Sequence, residues 1–219
     1  MNVEQALQER RSVRAFLPQP IDGATVRELL EGAAQSPSGG NLQPWRVIAL
    51  SGAALTEVND LARNNEPQVR PGLSYPPELW EPYRTRRFSN GEDLYRAIGV
   101  AREDKAARHA QFATNGELFG APVGVFVAVD ERMGHAQWMD LGIFLQSFML
   151  QAVAKGLATC AQGYWRMYNQ LLTQQLALPA GYQVAFGIAL GYEDKDAAIN
   201  QWRSSRAPTD EWLTLRGFA

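Results

Sequence analysis

The chain has 219 residues, 46% of them apolar and 20% charged, with a formal net charge of −2. That length fits one globular domain, and the near-neutral charge gives no electrostatic footprint for nucleic acid or an anionic membrane. The single cysteine, Cys160, excludes an intrachain disulfide, and two histidines, His109 and His135, leave no His-rich metal site.

This cysteine usage fits a reducing cytoplasm. No basic stretch followed by an apolar run opens the chain, so no secretory signal is expected. Asn2 and Gln5 have capping-box spacing. Val3, Ala6, Leu7 and Arg10 then share one helical face, which brings Arg10 and Arg11 to the C-terminal end of that helix. Thr25 and Glu28 repeat the capping spacing, and Val26, Leu29, Leu30 and Ala33 follow with helical periodicity. Ser36-Pro37-Ser38-Gly39-Gly40 ends this helix. Residues 47–50 predict a short apolar strand, and Leu55, Val58, Leu61 and Ala62 another helix.

From residue 64 the character changes. Pro67, Pro71, Pro76, Pro77 and Pro82 break any long element. Tyr75, Trp80, Tyr83 and Phe88 stand among Arg70, Arg84, Arg86 and Arg87. Linkers rarely carry so many aromatics, so residues 64–95 predict a lid-like insertion. A helical stretch follows to about Phe119, and residues 122–129 alternate as a strand. Residues 138–157 are the most apolar stretch, but Asp140, Gln146, Gln151 and Lys155 interrupt it. A membrane span carries almost no such groups, so the prediction is a helix buried on most of its circumference. Short strands are predicted at 159–163 and 182–190, and residues 196–219 form a tail rich in arginine and tryptophan. Strands separated by helices predict an α/β or α+β domain, with a central sheet wrapped by helices.

Two segments carry chemistry. Arg10-Arg11-Ser12-Val13-Arg14 offers guanidinium forks that match phosphate oxygens bidentately, with the Ser12 hydroxyl as a further donor. Taken alone, it reads more readily as a solvated charge run. Ser36 to Trp45 is a small-residue loop that feeds an apolar strand. Gly39 and Gly40 suit a helix C-cap and turn. A cap does not account for Asn41 and Gln43 directly ahead of Pro44-Trp45. No GxGxxG follows a strand and no GxxxxGK[ST] is present. Ser36 and Ser38 have no nearby His and no GxSxG context. Cys160 reads as a packed small residue.

Together these two segments resemble the opening of the FMN-dependent nitroreductase family, and the resemblance covers nearly the whole chain. Asn115 ahead of Phe119-Gly120-Ala121-Pro122, Asp140-Leu141-Gly142, the run from Gly156 to Gly163, Leu190-Gly191-Tyr192 and Ser204-Ser205-Arg206-Ala207-Pro208 follow in the family's order. The resemblance implies an α+β fold with a central, mainly antiparallel sheet wrapped by helices, as one domain over residues 1–219. It also implies an intertwined homodimer with shared sites, in which the tail of residues 196–219 wraps the partner subunit. An apolar central helix and an aromatic-rich tail agree with such covering.

For the cofactor FMN the resemblance implies Arg10, Arg11, Ser12, Arg14, Asn115, Ala161, Gln162, Gly163, Arg203 and Arg206. Pro37, Ser38, Gly39 and Asn41 reach the flavin bound mainly by the other subunit. For the substrate it implies Gly40 together with Trp80, Tyr83 and Tyr95 of the lid, which resembles the nitrobenzoate and nitroaromatic reductase branch. Two departures stand out: Ser204 replaces a Lys common in members, with Arg203 able to supply that charge, and Gly163 replaces a Glu at a backbone contact. The implied activity is reduction of nitroaromatics by NADH or NADPH through flavin N5, with no catalytic side chain. Other readings are a quinone or other reductase, a non-catalytic flavin binder, or a reductive dehalogenase. The last needs a Glu, Tyr and Lys in the lid; Glu78, Glu81 and Tyr83 are present, but no Lys occurs between Asn64 and Arg102.

Overall fold

The computed structural model describes residues 1–69, 75–76 and 78–218; Arg70, Pro71 and Pro77 of the predicted lid and Ala219 of the tail lie outside the described residues. Helix α1 (Val3–Glu9) starts where the sequence places it. The Asn2 Oδ1 accepts the Gln5 N–H at 2.9 Å, and the Gln5 Oε1 accepts the Asn2 N–H at 3.0 Å. Its predicted apolar face is only partly used: Ala6 is buried, whereas Val3 and Leu7 are exposed. Strand β1 (Phe16–Leu17) leads to helix α2 (Gly23–Ala33). The cap of α2 is Asp22, not Thr25: the Asp22 carboxylate accepts from the Thr25 N–H and hydroxyl at 2.8 and 2.7 Å. A carboxylate one turn earlier takes the free amide, and Thr25 becomes its donor.

Strand β2 (Arg46–Ser51) runs into α3 (Gly52–Asn64), then come α4 (Tyr83–Ala97) and α5 (Lys105–Ala113). Pro82 precedes α4 instead of breaking it, since a helix start needs no N–H there. The helical stretch predicted to reach Phe119 is not continuous. Gly99 turns the chain at φ +70°, and a 3-10 turn (Thr114–Gly120) holds Leu118 and Phe119 at φ +50° and +57°. Strand β3 (Val123–Asp130), α6 (His135–Ala154) and β4 (Ala158–Gln162) follow, then a second 3-10 turn (Gly163–Tyr168) and α7 (Asn169–Gln175). Strand β5 (Tyr182–Glu193) and α8 (Ala198–Gln201) complete the order. β1, α8 and the stretch 164–175 have no counterpart in the predicted elements, and the strand predicted to 163 ends at Gln162.

The five strands pair antiparallel, in the order β1-β5-β3-β2, with β4 also paired to β5. β5 is long enough to hold both short strands on one edge: β4 along 187–191 and β1 at 192–193. The Val13 N–H donates to the Thr159 carbonyl at 3.0 Å beside a Ser12–Thr159 bridge. This stitches the Arg10–Arg14 segment to the outer edge of β4.

Alternation along β3 builds a core on both faces. Val123, Val125, Val127 and Val129 pack with Leu141, Phe144, Phe148 and Ile188. Phe126 lies in the opposite core with Trp165, Tyr168 and Leu172. Gly187 makes room for Trp165: a Cβ there would stand 2.4 Å from the indole Cδ1. Helix α6 buries Asp140 and the stripe Leu141, Phe144, Phe148 and Ala152, while Met139 and Ile143 are 67% and 42% exposed. The predicted burial on most of its circumference is therefore not met within one chain, because the face that meets the sheet, α2 and α1 leaves Met139 and Ile143 pointing outward. Among the described residues no helix is long and apolar enough to cross a membrane.

Candidate active site

A cavity of about 280 Å³ lies where α1, the segment after it and the tail meet; Arg10, Arg11, Ser12, Arg14, Arg203 and Arg206 line it. The fold fixes these groups one by one. Asn200, 1% exposed, accepts the Arg14 N–H at 2.8 Å and donates to the Ala15 and Asp194 carbonyls at 2.8 Å each. Arg203 donates to the Gln8 and Glu9 carbonyls at 2.8 and 3.4 Å, where the C-terminal end of α1 favours a cation. Arg206 folds back on the Ser204 and Ser205 carbonyls at 3.1 and 2.9 Å.

Arg11 differs from its neighbours. It is ion-paired with Glu193, so its charge is balanced within the chain. Arg10, Arg14, Arg203 and Arg206 are not balanced: no carboxylate is among the described residues that line the cavity. Burial, then the charges of Arg206 and Arg203, hold the Arg10 guanidinium below its ordinary pKa. Cations kept together against their own repulsion are a site for a strongly charged anion such as a phosphate.

Arg14 also lines a second cavity of about 600 Å³, shared with Asn115, Ala161, Gln162 and Gly163. Gln162 is 3% exposed and works inward. Its Nε2 donates to the Asn115 carbonyl and Oδ1 at 2.9 and 3.1 Å, and its Oε1 accepts the Trp165 Nε1–H at 3.3 Å. Ala161 and Gly163 alternate with it and are exposed. Among the described residues no strand pairs with the outer edge of β4 at Ala161–Gln162. Free peptide groups are thus available to the polar edge of a flat ligand. Cys160 lines the same wall but is 3% exposed, and burial pushes its thiol up, which disfavours a nucleophile. Burial and the hydrogen bond to Tyr168 likewise push the Tyr164 phenol up.

The third predicted group sits elsewhere. Pro37 leads into Ser38, and a 3-10 turn spans Gly39–Asn41. Gly40, Asn41 and Gln43 have φ of +58°, +56° and +48°. The Gln43 N–H donates to the Ser38 Oγ at 3.0 Å, and both Asp140 oxygens accept the Gly39 N–H at 3.2 Å. Asp140, 7% exposed on α6, therefore holds a strained loop in place. Pro37, Ser38, Gly39, Gly40 and Asn41 line neither arginine cavity, so one chain does not bring them to Arg10 and Arg14. Asp140→Ala leaves the Gly39 N–H without a partner, a cost of about 1–3 kcal/mol. Hydrogen exchange at Gly39–Gln43 is expected to speed up by roughly tenfold to a hundredfold, with the α6 amides around Phe144–Phe148 unchanged.

Trp80, Tyr83 and Tyr95, the lid aromatics assigned to the substrate, also lie apart from the cavity. Trp80 and Tyr83 meet edge to face at 5.4 Å and are 59% and 48% exposed. Tyr95 packs α4 on α5: its ring lies 4.3 Å from the Arg108 guanidinium, and its hydroxyl donates to the Arg108 carbonyl at 3.3 Å. The aromatic wall is made instead by Tyr75, Phe112 and Tyr164.

Residues 7–192 match the family model described as Nitroreductase family. The chain belongs to the nitroreductase family. It is 36% identical to the chloronitrobenzene nitroreductase of Comamonas testosteroni, over 97% of this chain and 96% of that one. The 4-nitrobenzoate reductase of Pseudomonas putida is 34% identical over 95% and 93%. Among solved structures, the FMN and NADPH-dependent nitroreductase NfnB from sphigopyxis sp. strain HMH superposes with a TM-score of 0.94 and 39% identity, over the whole of both chains. The NfnB of Mycobacterium smegmatis, solved in complex with NADPH, gives 0.88 and 28%, over 98% and 100%. The nitroreductase-like α+β fold is thereby established. Within this family frame, the sequence reading missed Asn200, Trp165 and Arg166. The aromatic run Gly163-Tyr164-Trp165-Arg166-Met167-Tyr168 directly after β4 was the available signal for the last two.

Proposed function

We propose that this nitroreductase-family chain is an FMN-dependent NAD(P)H oxidoreductase acting on nitroaromatic compounds. The observation that supports it best is the pair of cavities that share Arg14 in their walls: a cluster of unbalanced arginines for a phosphate, beside an amide-edged, aromatic-lined space for a flavin ring. FMN, when bound, supplies the acceptor and donor of hydride. The chain's residues place it. Arg10, Arg203 and Arg206 hold the phosphate, Ser12 donates along the connecting chain, and the backbone of Ala161 to Gly163 meets the polar ring edge. Arg14 adds positive charge beside that edge, which favours the reduced, more negative form. Arg11, bound to Glu193, contributes position more than charge.

The same reading includes a homodimer. Met139 and Ile143 on α6, Val3 and Leu7 on α1, and Trp212, Leu215 and Phe218 in the tail are exposed apolar groups on one chain. A second copy covering them accounts for this exposure and presents Ser38 to Asn41 to the partner's cavity. The tail then wraps the partner, and residues 64–95 act as a lid. The relatives' NADPH dependence favours NADPH as donor.

Anaerobic mixing with NADPH or NADH tests the activity. The bound flavin is expected to bleach and to recolour on adding nitrobenzoate, whereas a mere flavin binder stays yellow. Mixing Arg10→Ala/Arg206→Ala chains with Ser38→Trp chains tests the shared site. One site of each heterodimer is intact, so random mixing of two inactive parents should restore about a quarter of wild-type activity. No recovery in isolated heterodimers sinks the shared-site arrangement.

A further inference from the structure

Arginines around the lid sort by their partners. Arg84 pairs with Glu81 at 2.8 Å, Arg96 with Asp93 at 2.7 Å, Arg108 with Glu92 at 2.7 Å, and Arg86 with Glu211. Arg87, on the same helix α4, does not follow. Its guanidinium lies over the Tyr75 ring, 4.5 Å from the centroid, and among the described residues it has no carboxylate partner. None of the residues outside the description is Asp or Glu. Arg166, in the turn after β4, likewise lies over Trp138 at 5.3 Å without a carboxylate.

Both line the 600 Å³ cavity, whose described lining contains no Asp or Glu. The cofactor explains Arg14 there but not these two, which stand on the lid helix and on the turn after β4. Stacking on an aromatic face uses the π surface of a guanidinium and leaves its in-plane N–H fork free. Such a fork matches a carboxylate. Phe112 and Tyr164 line the same cavity and supply aromatic surface for a flat body.

We infer that this cavity selects nitroaromatics carrying an anionic ring substituent, a carboxylate above all, with Arg87 as the residue that grips it and Arg166 as the second cation. The inference rests on the proposed nitroaromatic reduction and names its substrate class. Similarity does not decide this point, because the relatives' names include both chloronitrobenzene and 4-nitrobenzoate. The 2′-phosphate of NADPH is a weaker candidate for Arg87, since it lies at the far end of the dinucleotide from the nicotinamide ring that must reach the flavin.

The test uses the FMN-loaded protein and two matched pairs. Calorimetry compares benzoate with benzamide as ligands, and steady-state kinetics compares 4-nitrobenzoate with 4-nitrobenzamide. Wild type is expected to favour the anionic member about tenfold in both, less so as salt is raised. Arg87→Ala should cut that preference about tenfold and Arg166→Ala about threefold, and Arg87→Lys should keep only part of it, because an ammonium carries the charge without the planar fork. Equal binding of benzoate and benzamide overturns the inference, and so does an unchanged preference in Arg87→Ala. An Arg87→Ala effect confined to the KM for NADPH also overturns it, and assigns the guanidinium to the dinucleotide phosphate. If neither nitro compound turns over while benzoate still binds preferentially, the reduction fails and the anion site stands.

Discussion

The double variant Arg10→Ala/Arg206→Ala is expected to lose FMN while remaining folded. These guanidiniums, with Arg203 and Arg14, are the unbalanced charges of the smaller cavity, since Glu193 neutralises Arg11. A hydrogen bond to a charged group is worth about 1.5–3 kcal/mol, so losing two costs about 3–6 kcal/mol. That corresponds to roughly a hundredfold to ten-thousandfold weaker binding. Titration of flavin-free protein with FMN, read by flavin fluorescence, checks the size. The sign for stability is opposite. Arg10 is held below its ordinary pKa by burial and by Arg206 and Arg203, so the folded state disfavours its charge. Removing two of the cations relieves that repulsion, and the flavin-free variant should melt no lower than flavin-free wild type. A lower melting point together with unchanged FMN affinity would show a structural cluster instead of a phosphate cradle.

The second large effect is expected at Trp165, which no ligand needs to touch. Its side chain is fully buried and lies against Gly187 and Phe126, with ring centroids 5.2 Å apart in the latter pair. Truncating such a residue costs about 3–5 kcal/mol. For a chain of this size, Trp165→Ala should lower the Tm by roughly 6–20 °C, measured at fixed FMN concentration because ligand shifts apparent stability. Trp165→Phe separates packing from polarity. It keeps an aromatic ring in the core but loses the Nε1–H bond to Gln162, at about 1 kcal/mol. Gln162 in turn anchors Asn115, so the phenylalanine variant should weaken FMN binding by more than its stability loss alone accounts for. Equal and small losses in both variants would mean that the Trp165–Gln162–Asn115 chain does not shape the ring cavity.

The two arguments draw on different kinds of information. Where a signal is local, the amino-acid order carried it. The Asn2–Gln5 capping box closes within one turn. Val26, Leu29 and Ala33 fall on the buried stripe of α2 because helical period alone sets that face. The alternation of Val123 to Val129 marks a strand with a large–small pattern, and the arginine and Ser-Gly-Gly-Asn segments are legible as strings. Local signals fail where two of them compete or where one is too short. Asp22 takes the cap from Thr25, and β1 at two residues has no period to show. What only the tertiary structure decided is which charge meets which. Glu193 silences Arg11 from 182 residues away, Asp140 grips Gly39 from 101 residues away, and Arg87, alone among the arginines of its helix, lies over Tyr75 with no carboxylate partner among the described residues. Side chains of one type are identical in the sequence. Their charges become available or spent only when distant segments are packed within a few ångströms, because electrostatic and hydrogen-bond energies depend on separation in space and not along the chain.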